Sequence, residues 1–100
     1  MRVIILGFDN VEEIDNVMEK LIAESACFIF SVVVTDIKGT AAQWAKMKGA
    51  PIYVTKANDL ERLAKEIDYM VMKLNERSPQ WFKLFMGKVR ALGKHGTIVR

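Results

Sequence analysis

Apolar positions along this chain come in two rhythms. Short unbroken runs, Val3-Ile4-Ile5-Leu6, Cys27 to Thr35 and Ile52 to Thr55, are rich in Val, Ile and Phe and read as strands buried on both faces. Between them the apolar residues recur at helical spacing: Val11, Ile14, Val17, Met18, Leu21 and Ile22, then Ala41, Trp44, Ala45 and Met47. Asn10, with Glu13 three residues on, starts the first helix in capping-box fashion. Thr40 to Lys48 is the second helix, and Gly49 is placed to end it. Strand and helix alternate, which predicts an α/β domain with a parallel sheet.

After Ala57 two readings compete. Asn58 or Asp59 caps a helix through Leu60, Leu63, Ala64 and Ile67, and the helical period runs on through Met70, Val71 and Leu74. The rival ends that helix at Ile67 and makes residues 69–74 a fourth strand; a short apolar run does not decide between them. Ser78-Pro79 then starts a helix over residues 79–92, with Pro at the first helical position. Trp81, Phe82, Phe85, Val89 and Leu92 form its inward face, and Thr97-Ile98-Val99 is a closing strand.

At 100 residues, half of them hydrophobic, the chain reads as one ordered domain. No apolar run approaches the roughly 18–20 residues of a bilayer span, and the apolar start is too short for a signal peptide. The lone Cys27 suits a reducing cytoplasm and is read as core. The net charge of +3 hides an asymmetry. Residues 1–76 carry nine basic against twelve acidic side chains, whereas residues 77–100 carry six basic and none acidic. Such a tail attracts anions, nucleic acid among them, or is simply a solvated helix face. His95, the single histidine, is read as a solvated loop residue, since it cannot build a typical zinc site alone. Met70, Met72 and Met86 are read as core fillers, and Trp44 and Trp81 as helix-to-sheet packing anchors in preference to base-stacking rings.

Lys38-Gly39-Thr40-Ala41-Ala42-Gln43-Trp44-Ala45-Lys46-Met47-Lys48-Gly49-Ala50-Pro51-Ile52-Tyr53-Val54 resembles the glycine turn, alanine-rich helix and Gly-x-Pro strand start of the SLOG superfamily of Rossmann-like domains. Within it the chain is similar to the small YspA-like proteins common in bacteria and their phages. Ile67-Asp68-Tyr69-Met70-Val71 resembles the start of that family's fourth strand, and Ala91–Val99 its last helix end and closing strand. The resemblance favours the strand at residues 69–74. It implies one three-layer α/β/α domain with a mainly parallel sheet of about five strands ordered 3-2-1-4-5. The family's turns are degenerate here. Gly7-Phe8-Asp9 stands where Gly-Ser-Arg is usual, Thr35-Asp36-Ile37-Lys38-Gly39 keeps one glycine and a cation, and Asn75–Gln80 has no glycine. The glycine-rich motif and catalytic glutamate of the family's phosphoribohydrolases are missing, which disfavours an enzyme.

In such a sheet ligands bind beyond the strand C-termini, where the strand order reverses. The turns meeting there supply the candidate ligand residues Gly7, Phe8, Asp9, Asp36, Lys38, Gly39, Thr40, Arg77 and Ser78. Lys38 and Arg77 would hold an anion, Thr40 and Ser78 would offer hydroxyls, and helix N-termini would offer amides. The plainer reading of these residues is a rim of solvated charges and ordinary caps. Asp9 and Asp36 read as turn caps more readily than as a metal or acid–base pair. Three functions stay open. One is a non-catalytic module for a nucleotide or nucleotide derivative, needing no cofactor. Another is an interaction protein whose basic C-terminal helix, with Lys83, Lys88, Arg90 and Lys94, binds nucleic acid or a host protein beside a vestigial pocket. The third is a homodimer that covers its edge strands.

Overall fold

The computed structural model describes residues 1–24 and 30–100. Five strands, β1 (Arg2–Leu6), β2 (Ser31–Val34), β3 (Ile52–Val54), β4 (Tyr69–Lys73) and β5 (His95–Val99), alternate with four helices. The helices are α1 (Val11–Glu24), α2 (Thr40–Lys48), α3 (Leu60–Glu66) and α4 (Gln80–Ala91). All strand pairs are parallel and the order is β3-β2-β1-β4-β5, the Rossmann-like arrangement expected.

Alternation along the strands divides the core into two layers, because successive side chains leave a strand on opposite faces. Val3, Ile5, Val32, Val34 and Val71 face α1 and α2, where Ile14, Met18, Ala42, Trp44 and Ala45 meet them. Ile4, Val33, Met70 and Met72 face α3 and α4, where Leu63, Ala64, Ile67, Phe82, Phe85 and Val89 close the second layer. Truncating Phe85, which is fully buried, would cost about 3–5 kcal/mol.

The competition after Ala57 is settled in favour of the strand. Ile67 leaves the helix with extended backbone, and Met70, Val71 and Met72 pair with Ile4, Ile5 and Leu6 of β1. Asp59, not Asn58, caps α3, its carboxylate accepting from the Arg62 amide at 2.7 Å. Asn10 accepts from the Glu13 amide at 2.9 Å, as the capping pattern required. Gly49 ends α2 in the left-handed region at φ 68°.

Several expectations need correction. Of the run from Cys27 to Thr35, β2 takes Ser31–Val34, Thr35 is exposed beyond it, and Cys27 lies outside the described residues. Met47 points outward at 71% exposure, and the small Ala42 takes the inward place instead. Ile22 and Leu92 are also exposed. Pro79 is the N-cap of α4, so the helix starts one residue later than its sequence implied. His95 is the first residue of β5, still exposed but paired beside Tyr69. No helix among the described residues is long and apolar enough to cross a membrane.

Candidate ligand-binding crevice

The rim at the strand C-termini is organised by Gly7. Its φ of +87° carries the chain sharply out of β1, and a Cβ there would lie 2.3 Å from the Lys73 carbonyl oxygen. Only glycine lets the β1 turn lie against the end of β4 and the Phe82 ring. Two cavities open on either side of Gly7 and Phe8. The smaller, about 240 Å³, lies over the ends of β1 and β2. Asp36, Gly39, Thr40 and Ala41 line it, together with the apolar Phe8, Leu63 and Trp81. The larger, about 590 Å³, lies between the β1 and β4 turns and takes Asp9, Arg77, Ser78 and Phe82. Small-molecule sites span roughly 300–1,000 Å³, so the larger cavity alone has ligand size and the smaller suits part of a ligand.

The helix ends around these cavities differ in a telling way. α1 and α3 have side-chain caps, from Asn10 and Asp59. α2 begins at Gly39 and α4 at Pro79, and neither has a side-chain cap. Gly39 lines the smaller cavity and Pro79 the larger, so the two N-termini without such caps are both at the crevice. Amides there, together with the helix dipole, favour a negative group.

No protein-family model, curated protein or solved structure matches this chain.

The predicted residues divide between the cavities. Gly7 and Phe8 belong to both; Asp36, Gly39 and Thr40 join the smaller; Asp9, Arg77 and Ser78 join the larger. Lys38 lines neither and is exposed on the rim. Asp36 accepts from the Lys38 amide at 2.9 Å, a turn-capping role that occupies one carboxylate oxygen. Asp9 has a comparable attachment: its carboxylate lies 3.8 Å from the Lys73 ammonium. The described residues hold no cluster of three or more metal-ligating side chains, and Asp9 and Asp36 fall on different cavities.

The Ser78 hydroxyl is engaged within its own turn. It accepts from the Asn75 amide at 2.9 Å, while the Asn75 side chain accepts from the Arg77 amide at 2.8 Å. These bonds hold the β4 turn, which contains no glycine, in shape. They also explain why Ser78 does not cap α4.

One participant was not singled out from sequence, and another was given the other of its two readings. Lys73 at the end of β4 bonds Glu13, and that carboxylate, with Asp9 adding to it, raises the lysine above its ordinary pKa. A cation ending a strand opposite an acidic first turn was the available signal. Trp81, read as a packing anchor, is 37% exposed and forms a wall of the smaller cavity, held edge-on to Phe82 at 4.6 Å. Trp44 does serve as an anchor, buried against the core and donating to Asp15 at 3.0 Å. Asp15 also pairs with Lys48 at 2.8 Å; that partner first, and Trp44 second, hold its carboxyl below the usual range.

The basic surface also changes. Lys83, Lys88 and Arg90 are exposed on α4, but Lys94 is turned inward. Its ammonium donates to the carbonyl oxygens of Ala64, Lys65 and Ile67, at 2.8, 3.0 and 2.6 Å, and so caps the C-terminal end of α3.

Proposed function

We propose that this protein is a non-catalytic binding module for a small ligand that joins a flat ring to an anionic group, a nucleotide or nucleotide derivative. The reading rests on one observation: the two helix N-termini without side-chain caps, those of α2 and α4, both border cavities that share Gly7 and Phe8. Uncapped amides suit a phosphate or carboxylate, and the partly exposed Trp81, which lines the same cavity as Phe8, suits a stacked ring. The sequence resemblance to the SLOG superfamily leads to the same ligand class. The alternative, nucleic acid or a host protein on the basic helix, is left with three of its four cations, because Lys94 is taken up by α3.

The test is isothermal titration and thermal shift against a panel of nucleotides and nucleotide derivatives, on the wild-type chain and on Trp81→Ala. Binding of a panel member, weakened in the variant, supports the reading. No binding at millimolar ligand removes it.

A further inference from the structure

Charge is divided unevenly between the two helical layers. α1 carries five acidic side chains and one basic, whereas α4 carries three basic and none acidic. Counted as layers, α1 with α2 holds five acidic and three basic side chains, and α3 with α4 holds two acidic and five basic. The layers lie on opposite faces of the sheet. Within α1, Glu13 and Asp15 are taken by Lys73 and Lys48. Glu12 and Glu19 are exposed on the outer side, seven residues apart and away from the buried Ile14 and Met18. Lys83 and Arg90 of α4 are exposed at the same separation. Between them Gly87 has open space around its backbone, and Leu84 is 62% exposed.

We propose that these two surfaces bind each other between copies of this chain, α4 of one copy lying along α1 of the next. Because the helices are on opposite faces, a two-fold contact centred on either one would set it against itself, like charge on like. The contact is therefore head-to-tail. Crossover helices of an all-parallel sheet run in one direction, so α4 and the neighbouring α1 lie parallel, with Glu12 opposite Lys83 and Glu19 opposite Arg90. Seven residues rise about 10.5 Å in either helix, which keeps both pairs in register. Exposed ion pairs are individually weak and are screened by salt. The assembly is accordingly a reversible stack that grows with protein concentration, not a fixed dimer. It is independent of the crevice and of what the crevice binds.

The experiment measures weight-average mass by sedimentation of nuclease-treated protein, from dilute to near-millimolar, at low and at high salt. Wild type is compared with Glu12→Lys/Glu19→Lys and with Lys83→Glu/Arg90→Glu, and circular dichroism checks that each variant is folded. Glutamine at the same positions serves for a variant that does not fold, with loss of association as its readout. The expected wild-type mass rises with concentration at low salt and returns to that of the monomer at high salt. Either reversal turns two attractions into two repulsions and should lower the association constant by about tenfold or more. Mixing the two reversed variants should restore association, since α1 and α4 are then both basic in one chain and both acidic in the other. A wild type that stays monomeric at low salt overturns the inference, as does association that persists in either variant. Reversed variants that stay monomeric when mixed also overturn it. A monomeric wild type that binds a labelled nucleic-acid duplex assigns the basic helix to nucleic acid instead.

Discussion

The Lys94 ammonium donates to the Ile67 carbonyl at 2.6 Å, joining the segment before β5 to the end of α3. With the Ala64 and Lys65 carbonyls it gathers three acceptors that the helix itself leaves without partners. A cation here also lies at the negative end of the helix dipole. Lys94→Ala should therefore destabilise the domain by about 1–3 kcal/mol, whereas Lys83→Ala on the solvated side of α4 should stay within about 0.5 kcal/mol. Urea unfolding of the two variants measures the contrast, and equal midpoints would mean that the cap contributes nothing.

Gly7 and Gly87 should respond to alanine in opposite directions. Gly7→Ala forces a side chain into positive φ and onto the Lys73 carbonyl; the backbone strain alone costs about 1–3 kcal/mol. Gly87 lies within α4 with nothing within 4 Å of an added Cβ. There alanine should stabilise by about 0.5–1 kcal/mol through helix propensity. Thermal melting of each variant gives the sign directly.

Acid should act on Asp15, and alkali on Lys73 and Lys48. Asp15 has its pKa lowered in the fold, so its contribution is fully present above the ordinary carboxylate value, near pH 4. That contribution fades as pH falls through the lowered value. Lys73 has its pKa raised, so its contribution is fully present below the ordinary lysine value, near pH 10.4, and fades as pH rises past the raised one. Asp15→Asn should flatten the acid limb of a stability-against-pH curve and, because Asp15 also holds Lys48 above its ordinary value, part of the alkaline limb; Glu13→Gln should flatten the alkaline limb through Lys73. A variant that shifts the whole curve without changing either limb would argue against the assignment.

How much of this was legible from the residues can be seen in α3 and β4. The helical period continues from Leu60 to Leu74, and nothing local interrupts it. The interruption is long-range: the Asp68 amide bonds the Arg2 carbonyl at 2.7 Å, and the Asp68 carboxylate accepts from the Arg2 amide at 2.7 Å. Pairing with β1 imposes extended backbone on a segment whose local pattern is helical. The caps at Asn10 and Gly49 were readable because each rests on neighbours in sequence; the cap of α3 was narrowed only to Asn58 or Asp59, and the strand order came from the resemblance. Ala42 was hidden since a small side chain carries little hydropathy although it packs completely. Lys94 was hidden because its acceptors lie about thirty positions away, and a lysine beside a histidine and glycines reads as solvent-facing.

For the crevice itself, depth should outrank charge at the rim. Trp81→Ala removes a stacking surface worth about 1–3 kcal/mol per base, a loss of about fivefold to more than a hundredfold in nucleotide affinity. Lys38→Ala removes a solvent-screened charge outside both cavities and should cost at most about fivefold. Titration of both variants with one nucleotide ranks them, and a larger effect at Lys38 would place the ligand on the outer surface.

The central strand meets its two neighbours at very different separations along the chain. β1 pairs with β2 across the first helix, but its other pairing joins Arg2 to a residue 66 positions away. Closing the longer loop adds only about 0.7 kcal/mol of entropy, so the penalty is one of sequence in time rather than of final stability. The pairings of β3 with β2 and of β2 with β1 have both strands present once Val54 is made. The crevice takes more of the chain: its floor needs Gly7 seated against the Lys73 carbonyl and the Phe82 ring. The crevice is thus complete only once the chain through Phe82 has docked on β1, and a ligand held there would select molecules that have joined both halves of the sheet over those that have not.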